Sequence, residues 1–298
     1  MTGRPLCVLV LLALVLPATP GQLSANDAFI EYVTPRGEFA NLDTHRLYYR
    51  CIGQGSPSVV IEHGIGGAAL EWTEVQDELA KTTRVCTYDR AGYGFSDSGP
   101  GPRNSSQAAN ELHRLLEIIG ERPPYVLVGH SFGGLSARHF ASMYAEEMAG
   151  LVLIEASHVR MLPSFGARTH EQRHGLQISA IEKNRRSENP YAAASGFLNS
   201  RRKAIFAQME ELSHFQTSAE QVTRRQLPSE LPLVVLSRDP LMSNDNAMES
   251  AWASAQRELA TLTNNSKQFV IQGADHNPHL AKPIQVAQRV ASLITSLR

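Results

Sequence analysis

The sequence predicts an α/β protein: a doubly wound, mostly parallel sheet with a helical cap inserted into it. Three observations predict this. Apolar runs recur that are continuous rather than alternating, helix-like stretches separate them, and the alternation stops over one long interval, 157–230. Strands covered by helices on both faces are apolar throughout, so a parallel sheet reads as unbroken hydrophobic runs.

The chain opens on what reads as a processing signal, residues 1–25. Arg4 supplies the positive start, LCVLVLLALVL (6–16) the apolar stretch and PATPGQLSA a cleavage region. The 11 residues of 6–16 are too few to cross about 30 Å of hydrocarbon as a helix. The expected location is secreted or periplasmic, without stable membrane anchoring in the mature form; a retained N-terminal anchor is the rival reading. Once Cys7 leaves with the signal, Cys51 and Cys86 remain. In an oxidising compartment two cysteines either form one bridge or stay as buried thiols.

Seven runs read as strands in order: RLYYRCI (46–52), SVVIEHG (58–64), RVCTYDR (84–90), YVLVGHS (125–131), GLVLIEA (150–156), LPLVVLS (231–237) and KQFVIQG (267–273). Candidate helices fall at 71–81, 105–119, 134–146, 248–262 and 283–296. SSQAANELHRLLEIIG (105–120) shows serines at the capping end and a glycine at its close. Such alternation specifies a doubly wound sheet. The interval 157–230 carries helical stretches near 170–186 and 201–225, with NPYAAASG (189–196) read as a turn between them. An insertion after a sheet strand is expected to cover the strand C-termini, where such folds place function. The division is therefore a signal (1–25), a core (26–156 and 231–298) and a cap (157–230).

Composition bounds the function. Hydrophobic residues make up 42% of the 298, enough for a large core, and 28 basic against 29 acidic residues leave a net charge of −1. That balance argues for neither a nucleic acid nor an anionic membrane as partner. No zinc-type ligand spacing stands out, and the expected chemistry needs no metal or cofactor. NSS (104–106) and NNS (264–266) match glycan acceptor patterns.

The chemistry centres on GHSFGG. A strand, a Gly-x-Ser-x-Gly turn and a helix make a nucleophile elbow, in which a strained serine backbone lifts Oγ clear of the sheet. Ser131 is the candidate nucleophile. EHGIGG (62–67) follows an earlier strand and is placed to supply a second oxyanion donor. The expected pair is the N–H of Ile65 and the N–H of Phe132. A serine hydroxyl needs a base. His276, in QGADHNPHL between the last strand and the last helix, is placed for that; His279 is the fallback, and His130, beside the serine, is expected to point elsewhere. The orienting acid is Glu155, at the end of GLVLIE, or Asp239, after LPLVVLS, and the chain order allows both.

These motifs resemble the α/β-hydrolase superfamily: EHGIGG, YDRAGYGFSD (88–97), GHSFGG, GLVLIEASH and DHNPHLAKP stand in the superfamily's order over nearly the whole mature chain. The resemblance implies an eight-stranded sheet in which strand 2 lies beside strand 4. Cys51 and Cys86 then become neighbours, which implies a disulfide. It also implies a structural role for YDRAGYGFSD, so Asp89 and Arg90 are not counted as catalytic. Members with the acid after strand 7 commonly carry it a little beyond the place of Asp239. Glu155 stands where haloalkane dehalogenases resembling this chain carry a glutamate, but their nucleophile is an aspartate. The expected activity is cleavage of carboxylic esters through an acyl-enzyme on a small-molecule substrate. Aminopeptidase, thioesterase, acyltransferase and carbon–carbon hydrolase chemistry share the same parts, and a ligand receptor on this fold is the non-enzymatic alternative.

Overall fold

The computed structural model describes residues 25–161, 170–242 and 246–298. The segment read as a processing signal therefore lies outside the described residues, apart from its last position. Among the described residues, no helix is long and apolar enough to cross a membrane.

Eight strands form one sheet: β1 (Glu38–Asn41), β2 (Arg46–Ile52), β3 (Ser58–Glu62), β4 (Val85–Tyr88), β5 (Tyr125–His130), β6 (Met148–Ile154), β7 (Leu233–Arg238) and β8 (Ser266–Ile271). Their order is β1-β2-β4-β3-β5-β6-β7-β8. Only β2 runs against its neighbours; from β4 to β8 every pairing is parallel. The helices are α1 (Ala25–Tyr32), α2 (Thr73–Leu79), α3 (Ser105–Ile118), α4 (Gly133–Met143), α5 (His170–Arg185), α6 (Pro190–Asn199), α7 (Arg202–Ser213), α8 (Phe215–Thr223), α9 (Asn246–Leu259), α10 (Pro278–Ala281) and α11 (Pro283–Ser296).

The unbroken apolar runs have a direct cause. Val60, Leu127, Leu151, Leu153 and Val235 pack one face of the sheet against α3, α4 and the end of α9. Their chain neighbours Val59, Ile61, Val126, Val128, Val152 and Val234 pack the other face against α2 and α11. Period-2 alternation puts successive side chains on opposite faces, and both faces are covered. The short edge strand β1 shows one buried residue in four, so it left no such run to read.

Cys51 faces Cys86 in the β2–β4 register, and the two form a disulfide. Asn104 is buried and caps α3, its side chain accepting from the N–H of Gln107. That use removes it as a glycan acceptor, whereas Asn264 is exposed.

Among the described residues, four helices, α5 to α8, stand between β6 and β7. One expectation is corrected here: NPYAAASG is not a turn but most of helix α6. Asn189 caps it, accepting from the N–H groups of Tyr191 and Ala192, and Pro190 occupies the first helical position. Asparagine followed by proline starts a helix as readily as it starts a turn, and the alanines after it decide for helix. The stretch near 201–225 is two helices, broken at His214.

Candidate active site

The site is assembled from the carboxyl ends of the central strands, where ligands bind in open α/β sheets. β5 ends in the turn that carries Ser131, whose φ of 51° lies in the left-handed region. A non-glycine residue held there is strained and persists only where its surroundings fix it. Here they do: the Ser131 N–H donates to the carbonyl of Ile154 at 3.1 Å, and its own carbonyl accepts from Ser157 at 2.9 Å and Gly134 at 3.0 Å. A Cβ at Gly133 would stand 2.4 Å from the carbonyl oxygen of Glu62, so only glycine lets α4 start this close to β3.

Ser131 Oγ lies 3.3 Å from Nε2 of His276. Nδ1 of the same ring lies 3.2 Å from Oε2 of Glu155. The side chain of Glu155 is 0% exposed and that of His276 37%, so the line of contacts runs from the interior outward to the cavity. Glu155 is the second strained residue of the site, with a φ of 46°, and its N–H is tied to the carbonyl of Leu236 at 2.9 Å. Its Oε1 accepts from the backbone N–H of Arg238 at 2.9 Å, while the Arg238 guanidinium stands 3.4 Å from Oε2.

The two candidate acids are thus placed differently. Glu155 reaches His276, and no contact among the described residues joins Asp239 to it. Both oxygens of Asp239 are taken by backbone, Oδ1 by Leu241 at 3.0 Å and Oδ2 by Gly273 at 2.9 Å. Those bonds, that of Gly273 foremost, hold its carboxyl below the usual range. Asp239 ties the loop after β7 to the loop after β8, the one that carries His276.

His130 makes no hydrogen bond to Ser131 among the described residues, but it lines the same cavity. Its Nε2 donates to the carbonyl of His276 at 2.8 Å and so positions the loop. Burial, with His279 and His276 nearby, pushes the His130 imidazole well below its ordinary pKa, so it stays neutral. His279 does not approach Ser131; it is buried and stacked on Trp72, the ring centroids 4.2 Å apart.

A cavity of about 470 Å³ opens over Ser131. Ile65 and Phe132, the expected oxyanion pair, both line it, as do His276 and residues of the cap including Ile181, Leu212 and Phe215. The Gly64 loop presses against the nucleophile turn, since a Cβ on Gly64 would lie 3.2 Å from that of Ser131. His63 fixes that loop: Nδ1 donates to the carbonyl of Gly64 at 2.8 Å and Nε2 accepts from the N–H of Arg90 at 3.2 Å. Only a neutral imidazole can both donate and accept. Burial, then the charge of Arg90, holds its pKa well down.

Arg90 was expected to be structural, and the structure makes it a clamp. All five of its N–H donors are used: on Glu211 at 2.8 and 3.0 Å, on Glu62 at 2.7 Å, and on the carbonyls of His63 at 2.5 Å and Gly64 at 3.1 Å. Tyr88 donates to Glu62, and Tyr93 to Glu211 at 2.6 Å. The clamp joins the core to helix α7 of the cap. Sequence reasoning missed Glu211, Arg238 and Glu71 altogether, because each comes from a segment with no motif to mark it.

Comparison with known proteins agrees with this architecture. The profile of the "Alpha/beta hydrolase family" matches residues 59–289. An AB hydrolase superfamily protein of Gibberella zeae is 25% identical over 81% of this chain and 87% of its own length. Three longer curated relatives are 34–36% identical over 39–40% of this chain, which spans only 18–21% of their length. Among solved structures, the epoxide hydrolase CorEH superposes with a TM-score of 0.68 at 18% identity, covering 88% of this chain and 99% of its own. A thermophilic esterase from Thermogutta terrifontis superposes with a TM-score of 0.66 at 20% identity, covering 88% and 99%. At these identities the structural likenesses speak for the fold alone.

Proposed function

This chain belongs to the alpha/beta hydrolase family, and from that premise we propose that it is a secreted or periplasmic serine hydrolase that cleaves carboxylic esters through an acyl-enzyme. One observation carries the proposal: the unbroken line from Ser131 Oγ through His276 to Glu155, at 3.3 and 3.2 Å, on the wall of the cavity.

Ser131 attacks the acyl carbon while Nε2 of His276 takes its proton. The Glu155 carboxylate accepts from Nδ1–H, fixes that tautomer and stabilises the imidazolium. The developing oxyanion is held by the N–H groups of Phe132 and Ile65, and the N-terminal end of α4 adds a favourable field. His276 then passes its proton to the departing alcohol. Water, activated by the same imidazole, releases the acid. Export rests on the apolar stretch 6–16 and on the Cys51–Cys86 bridge, a bond kept in oxidising compartments.

The test is hydrolysis of p-nitrophenyl esters of graded acyl length, with Ser131→Ala as control. Turnover should be measurable for at least one length and should fall by about 10⁴-fold or more in the variant. Undiminished turnover in Ser131→Ala, or none with any ester, would overturn the proposal.

A further inference from the structure

The catalytic cavity contains a carboxylate that the mechanism does not use. Glu71, in the turn before α2, is 6% exposed and lines the same cavity as Ser131 and His276. Its two oxygens are treated unequally. Oε1 accepts from Ser195 Oγ at 2.6 Å and from Asn184 Nδ2 at 3.4 Å, both contributed by the cap. Oε2 accepts no hydrogen bond among the described residues. It stands 3.6 Å from Nε2 of the buried His279, within ion-pair reach but beyond hydrogen-bond length.

A buried carboxylate with an unengaged oxygen carries a desolvation cost that an incoming donor would relieve. A side chain at position 67 would press on that oxygen: a Cβ at Gly67 would stand 2.9 Å from Oε2, so glycine spares the space beside it. Gly67 lies three residues from Gly64, which abuts Ser131, so the carboxylate flanks the loop beside the reacting atoms. Among the described residues, the other charged side chain on the cavity wall is Lys183. It is 77% exposed, and its charge is matched by Asp275 at 3.7 Å. Asn184, Gln208, Asn277 and Ser157 supply neutral polar groups, and Ile181, Leu212 and Phe215 an apolar wall.

We propose that Glu71 is a specificity residue, and that the substrate carries a protonated amine which donates to its Oε2. The proposal deepens the ester-hydrolase reading and rests on it for the word substrate, but the binding site stands by itself. Charge-assisted hydrogen bonds in a desolvated site are the strong ones, so an ammonium should be preferred clearly over a neutral group of the same size.

Two measurements on the full chain test it. Calorimetric titration should show hexylammonium binding at least about tenfold more tightly than 1-hexanol, and Glu71→Gln should reduce that ratio to near unity. Glutamine keeps an oxygen for Ser195 and Asn184 while removing the charge. In parallel, kcat/KM for p-nitrophenyl 6-aminohexanoate should exceed that for p-nitrophenyl heptanoate, its uncharged isostere, and Glu71→Gln should collapse the ratio. Ser195→Ala should preserve the preference, because it loosens the cap contact but leaves the charge; a merely structural Glu71 would make the two variants behave alike. Equal binding of hexylammonium and hexanol by the wild type overturns the inference whether or not any variant folds. Cleavage of both esters at equal rates, with no preference for the ammonium, sinks this inference and spares the hydrolase. Glu71-dependent ammonium binding with neither ester cleaved does the reverse.

Discussion

Two buried charge networks stand on the same edge of one sheet, and they are built on opposite plans. In the Arg90 clamp every guanidinium donor has an acceptor, and both carboxylates are paired to it. In the line from Glu155 to Ser131 the last member ends at the cavity, with an exposed imidazole face and a hydroxyl aimed at open space. A closed network can only hold the chain in place. An open one, seated on two strained residues at φ 51° and 46°, keeps capacity for a molecule not yet bound. The same residue types thus brace the 157–230 insertion in one region and, on the proposed reading, serve proton transfer in the other. What separates them is whether the hydrogen bonds are all spent within the protein.

The largest effect should come from breaking the open network. Glu155→Gln keeps an acceptor for the Arg238 N–H but removes the charge that stabilises an imidazolium. It should lower kcat on esters by about 10³–10⁴-fold with little change in thermal midpoint. A loss smaller than tenfold would mean that the line of contacts is not the working one. Breaking the closed network should do the converse. Arg90→Met leaves Glu62 and Glu211 buried without their cation, and urea unfolding should report a loss of about 3–5 kcal/mol. Unchanged stability there would erase the distinction between the two regions.

Acid should sharpen the contrast. His63 and His130 are held neutral in the fold, burial being the main cause in each. The unfolded chain protonates both near pH 6.5 and the folded chain does not, so the unfolded state binds more protons below that pH. Stability should therefore fall as the pH drops through about 6.5; these two protons alone give a limiting slope of about 2.7 kcal/mol per pH unit, and His139 and His158, also lowered chiefly by burial, act in the same direction. Asp89 acts in the other direction. Burial raises its carboxyl to about 6, so it takes up its proton earlier in the folded state and partly offsets the loss below that pH. Unfolding midpoints in urea across this range test the sign, and His63→Gln should flatten the slope by about one proton's worth. The smallest effect on chemistry is expected at Asp239→Asn. The amide still offers one oxygen to the loop, and kcat should change by no more than about threefold. A loss to match that of Glu155→Gln would reverse the assignment of the acid.

Much of the site was legible in the chain because its geometry is local. A strand, a tight turn and a helix are consecutive in sequence, so Ser131 and its small neighbours announce themselves within six residues of GHSFGG. His276 was legible from its place between the last strand and the last helix. The choice between Glu155 and Asp239 was not, since both end neighbouring strands on the same edge. Side-chain direction at a strand end depends on one backbone angle, and the left-handed φ of Glu155 that turns it toward His276 has no signature in GLVLIEASH. NPYAAASG misled for a related reason: the asparagine and proline that begin a helix are the residues that also make turns. Arg90 was marked by its motif, but Glu211 lies 121 residues away in a segment without one.

By itself the sequence determined the doubly wound sheet, the elbow serine and the histidine that follows the last strand. Those follow from hydrophobic period and steric necessity, which act between near neighbours along the chain. Only the tertiary structure decided which carboxylate meets the imidazole, which residue of the 157–230 insertion closes on Arg90 and which oxygen of Glu71 accepts from Ser195. These are outcomes of packing between distant segments, where a rotation of one side chain determines whether a charge is spent inside the protein or kept for a ligand.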